Sequence, residues 1–93
     1  MDDYAKVVVK IIKAQEAIVG PVAFEQAKKV KGLSFGTTED EVKIEGDKKA
    51  TLEQLLRQYE ALFGRASIEV CKSAVRGIIA NVPKDQLPQL LVS

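Results

Sequence analysis

The chain has 93 residues, with 14 Lys and Arg against 13 Asp and Glu, a net charge of +1, 46% apolar residues, no His and one Cys. That is the size and composition of one globular domain, residues 1–93. Without His or a second Cys, one copy builds no Ser-His-Asp or Cys-His nucleophile, no zinc site of the His or thiolate kind, and no internal disulfide.

The first predicted element is a helix from about Asp3 to Val19. At about 100° per residue, Tyr4, Val7, Val8, Ile11, Ile12, Ala14, Ile18 and Val19 share half of the wheel. Lys6, Lys10 and Lys13 take the other half. Asp2 or Asp3 caps the start, Gly20 suits a left-handed stop, and Pro21 prevents continuation. Pro21 also suits the first turn of a second helix, Pro21 to Lys31, with Ala23, Phe24, Ala27 and Val30 inward and Gly32 closing it.

From Leu33 to Glu45 the period changes from helical to two. Leu33-Ser34-Phe35 and Val42-Lys43-Ile44-Glu45 read as strands, with the polar run from Gly36 to Asp40 as the hairpin loop. Two strands are marginal alone, so Leu33, Phe35, Val42 and Ile44 must pack on helices. Thr51-Leu52-Glu53-Gln54 reads as a capping box, with Thr51 at the N-cap. The third helix then places Leu52, Leu55, Leu56, Tyr59, Leu62 and Phe63 in one arc up to Gly64.

A fourth helix is predicted from about Ala66 to Asn81. Ile68, Cys71, Ala74, Val75, Ile78, Ile79 and Val82 form its main stripe, and Ala66, Val70 and Gly77 a second stripe of smaller residues. Gly77 costs about 1 kcal/mol against Ala in a helix interior, so close approach of another backbone is expected there. The tail from Pro83 adds a short helical turn through Leu87, Leu90 and Leu91. The fold class is therefore α+β, predominantly α: four helices, with a two-stranded antiparallel hairpin between the second and third.

The chemistry-bearing residues are few. Cys71 lies within an apolar stripe and reads as a buried, inert thiol, since reactivity needs partial exposure and a positive neighbour. Gln15 falls inside the apolar half of the first helix and needs a partner. It either reaches a loop backbone or sits at a subunit interface or small pocket. Residues 1–32 hold six Lys and four acids, read as a solvated basic face without interleaved aromatics. The acids Glu39, Asp40, Glu41, Glu45 and Asp47 lack the ligand spacing of a calcium loop. No metal, cofactor or catalytic residue is assigned.

The third and fourth helices around Gly64 resemble a helix-turn-helix in outline, but Arg65 and Ser73 stand where such motifs are usually apolar. The expected function is a small non-enzymatic protein-interaction or regulatory module, acting through an apolar helical surface as a homodimer. The expected contact residues are Tyr4, Val8, Ile12 and Gln15, with Val70 and Gly77 secondary. The partner is another protein or a second copy. The alternative is nucleic-acid binding through the third and fourth helices and the basic N-terminal face. No apolar run nears the roughly 20 residues that span a bilayer, and the acidic start Met1-Asp2-Asp3 is unlike a signal peptide. The expected compartment is the cytoplasm.

Overall fold

The computed structural model describes residues 3–92. Helix α1 runs Asp3–Val19 and α2 runs Val22–Ala27. Strands β1, Leu33–Ser34, and β2, Lys43–Ile44, pair antiparallel with Leu33 opposite Ile44 and Ser34 opposite Lys43. Helices α3, Lys48–Phe63, and α4, Ala66–Val75, follow, and α5, Gln89–Val92, ends the chain. Single 3₁₀ turns lie at Glu39–Glu41, Ile79–Asn81 and Lys84–Gln86. The architecture is mostly helical with a two-stranded antiparallel sheet. Three of the five helices are long, so the four-helix expectation is only approximate. Among the described residues no helix is long and apolar enough to cross a membrane.

Helix α1 has its expected bounds, and the cause is local. Gly20 takes φ +80°, a conformation that costs residues with a Cβ, and its N–H bonds the Glu16 carbonyl at 2.9 Å. Pro21, at φ −59°, then starts α2. The cap expected at Asp2 lies outside the described residues.

Helices α2 and α4 are shorter than their sequence pattern, and each strand keeps only two of the three or four residues expected of it. Helix α2 stops at Ala27, and the chain tightens into turns in which Lys29 and Val30 donate to the Gln26 and Ala27 carbonyls. The inward set holds: Ala23, Ala27 and Val30 are buried and Phe24 is half-buried, its ring edge-on to Phe35 at 5.1 Å. Helix α4 ends at Val75, six residues before the expected Asn81. After it the chain turns, and Val82, Leu87 and Leu91 come back onto the core. Gly77 therefore sits in an exposed turn with nothing within 4 Å of a notional Cβ, so the expected close backbone approach is absent. The break comes at the weakest helix former, short of Pro83.

The start of α3 also corrects the sequence reading. The N-cap is Asp47, whose carboxylate accepts from the Ala50 N–H at 3.1 Å. Thr51 lies inside the helix and is buried, its side chain against Gly32. An Asp followed by Lys48-Lys49-Ala50, all fair helix formers, moves the start one turn earlier. The Tyr4 hydroxyl also donates to the Lys48 carbonyl, tying this first turn to α1.

One core joins α1, α2, β1, α3, α4 and the C-terminal tail. Its largest fully buried side chains include Tyr59, Ile11, Ile12, Leu52, Leu55 and Leu56. Asp47→Ala is expected to lower unfolding stability by about 1 kcal/mol through loss of the cap. Gly77→Ala, in open space with an ordinary backbone, is expected to be neutral or to stabilise by about 0.4–1 kcal/mol. Urea melts of the two variants check both signs, and marked destabilisation by Gly77→Ala would show a packed glycine after all.

Candidate interaction surface

The seam between α1 and α4 is the most specific contact in the molecule. Gln15, 1% exposed, donates from Nε2 to the Ser67 carbonyl at 3.0 Å and to the Cys71 sulfur at 3.4 Å. Its Oε1 is buried without a hydrogen-bond partner among the described residues. An orphaned acceptor costs about 1–3 kcal/mol, so the amide is held by its donor side alone. The polar residue inside the apolar arc thus reaches backbone, as one of the two sequence readings expects, but the backbone is that of a helix 52 positions away.

Four expected contact residues are displaced from the surface. Tyr4, Val8, Ile12 and Gln15 are buried by the chain's own helices, which excludes them from an exposed surface of one copy. The wide apolar face of α1 is covered from within, chiefly by α4 and α2, with the Glu39–Glu41 and Ile79–Asn81 turns beside them. Val70 is half-buried and Gly77 is exposed in its turn.

Cys71 is buried, and its thiol is pushed up from 9.0 to about 11 by burial, which outweighs the opposing Gln15 hydrogen bond. Tyr4 and Tyr59 are likewise raised, first by burial. The Tyr59 hydroxyl donates to the Ala23 carbonyl at 2.7 Å. The hairpin acids are engaged separately. Glu41 accepts from the Thr37 and Thr38 N–H groups, Asp40 pairs with Lys13 at 3.2 Å, and Asp47 caps α3. Among the described residues no three Cys, His, Asp or Glu side chains gather to hold a metal.

Two apolar surfaces stay open. The contacts of Gln15 with Ser67 and of Tyr59 with Ala23 bring the α1–α2 turn and the α3–α4 turn to one end of the molecule. At that end Ile18 is 60%, Leu62 49% and Val22 39% exposed. Both Ile18 and Leu62 were expected inward. Each lies on an apolar arc, but one residue from the end of its helix.

The second surface is a groove of about 520 Å³ between α1 and the end of α4. Val9, Ala14, Ala74 and Ile78 floor it, and Lys6, Lys10 and Lys13 line its rim together with Asp40. Beside Lys13 the Glu16 carboxyl is held above the usual range, first by burial, then by a hydrogen bond and charge from Glu39. A larger cleft of about 720 Å³ lies beside α3, but its walls mix Lys29 and Lys31 with Glu45 and Asp47. No single sign of charge dominates it. No protein-family model, curated protein or solved structure matches the chain.

Burial of the Cys71 thiol makes the stability of the fold depend on pH. A folded-state value raised above 9.0 adds stability that is fully present below pH 9.0 and is lost as pH rises through about 11. Its full size is roughly 2–3 kcal/mol, and the two buried tyrosines add loss in the same direction. The melting temperature is expected to fall between pH 9 and 11, and less steeply in Cys71→Ala. Ellman's reagent at pH 8 is expected to label the thiol only in denaturant. Rapid labelling of the native protein would mean an open site.

Proposed function

We propose that the chain is a small non-enzymatic protein-interaction module that self-associates through the apolar end formed by Ile18, Val22 and Leu62. The observation that supports this reading is the burial pattern. The chain encloses a core from nearly all its apolar side chains, yet leaves these three large ones in water at one end. Exposed apolar side chains that cluster mark contact sites more often than those scattered singly.

The scale of the contact follows from area. A standard interface buries about 800 Å² on each partner, against 5268 Å² for the whole chain. Three side chains supply only the centre of such a patch, so the dimer is a weak, concentration-dependent one. The α1 face, covered by the chain's own elements, offers no contact area.

Nucleic-acid recognition has less support. The exposed side of α4 mixes Glu69 with Ser73 and Arg76, and the Lys row of α1 flanks an aliphatic floor rather than the aromatic platforms on which bases stack.

Light scattering after size exclusion, at loads from about 10 µM to 1 mM, is expected to show a dimer fraction that rises with concentration. Ile18→Glu and Leu62→Glu place charges on exposed positions and are expected to hold the chain monomeric with little change in melting temperature. A wild-type chain that stays monomeric throughout, or variants that dimerise as well as the parent, would overturn the reading.

A further inference from the structure

Helices α1 and α4 run antiparallel. Gln15 meets Ser67 and Cys71, while Val9 and Ala14 share the groove with Ala74 and Ile78. At the far end the groove opens because α4 stops at Val75 and the chain turns away. Small Ala14 and Ala74 leave the floor low. Its volume of about 520 Å³ lies within the roughly 300–1,000 Å³ of ordinary ligand sites.

The rim is mainly cationic, with Asp40 its one acid. Lys6, Lys10 and Lys13 follow at helical spacing, so they stand in a row about 10 Å long at 1.5 Å per residue. Lys10 has no carboxylate in salt-bridge range among the described residues, and Lys6 pairs with Asp3 of its own exposed turn at 3.9 Å, a long contact worth little in water. At the other end Lys13 already holds a carboxylate from a distant segment, Asp40, at 3.2 Å. Glu16 and Glu39 crowd the same end. The cationic end with room for further carboxylates is therefore that of Lys6 and Lys10.

From the apolar floor under this Lys row we infer that the groove binds an acidic amphipathic segment of another protein, with apolar side chains on Val9, Ala74 and Ile78 and carboxylates on Lys6 and Lys10. Asp40 on Lys13 is the intramolecular instance of the same contact. A nucleic acid would match the charge but leave the aliphatic floor uncovered. A lipid surface would meet a concave site where a protruding apolar face is needed. The inference is independent of self-association, since Ile18 and Leu62 lie beyond the other end of the groove.

The test is fluorescence anisotropy with a labelled peptide of about twelve residues, Leu at i, i+3, i+4 and i+7 and Glu between them. Its comparators are the same peptide with Gln for Glu, a duplex DNA oligonucleotide and phosphatidylserine vesicles. The acidic peptide is expected to bind at least about tenfold more tightly than the Gln version, and to weaken with added salt. Lys10→Glu, on an exposed position, is expected to lower its affinity about tenfold with an unchanged circular dichroism melt. Asp40→Asn, which frees Lys13, is expected to bind at least as tightly as the parent, and Ile18→Glu to bind equally well. No binding at millimolar peptide, equal binding of the two peptides, an unaffected Lys10→Glu, or tighter binding of the DNA or the vesicles would overturn it.

Discussion

The fold depends on covering α1. Its central run, Val7-Val8-Val9-Lys10-Ile11-Ile12, is β-branched at every position but Lys10, and such residues lose rotamer freedom in a helix. Local propensity therefore supports this helix poorly. Burial supplies the difference, at about 1.5–3 kcal/mol for each enclosed Val or Ile, and all five are buried. Each remaining element is placed by the need to provide that cover. Helix α2 folds back after Gly20, the hairpin turn reaches Lys13 through Asp40, and α4 lies along the seam that Gln15 marks. The two tyrosines fix the register of α3 in this arrangement, Tyr4 at its first turn and Tyr59 against α2.

Where structure follows from neighbouring residues, it was legible. The bounds of α1, the glycine stop with its proline, the antiparallel hairpin and most of the inward faces of α2 and α3 rest on patterns within short stretches of chain, while Leu62, at the end of α3, departs from its wheel. The start of α3 was misplaced because Asp47 and Thr51 are both good caps one turn apart, and burial of Thr51 against Gly32 decided between them. The end of α4 was misplaced because its apolar stripe runs on through Ile78, Ile79 and Val82. Those residues do pack inward or halfway, but from turns. A helical wheel records which residues want burial, and a tight turn at Gly77 satisfies the same want.

The contact surface was less legible for a related reason. Tyr4, Val8, Ile12 and Gln15 stand out on a wheel because they widen the apolar face, and on a wheel width reads as surplus. In the fold that width meets several neighbours at once. What stays open is fixed by where helices end, a property that no single helix encodes. Ile18 and Leu62 occupy good core positions on their wheels but overrun their partners. The groove floor needs Val9 from one helix and Ile78 from beyond another, and without that floor the lysine row reads only as a solvated face.

The Gln15 contact also has a meaning in time. Its partner Cys71 lies 56 residues downstream, and synthesis at about 5–20 residues per second separates the two by roughly 3–11 s. Throughout that interval the β-branched run of α1 has no α4 to cover it. It then has the composition of a segment that pairs edge to edge with other chains. Lys10 inside the run, with Lys6 and Lys13 on either side, breaks it with charge at each turn. The same lysines that rim the groove in the finished protein thus also interrupt the apolar run of the uncovered chain with charge.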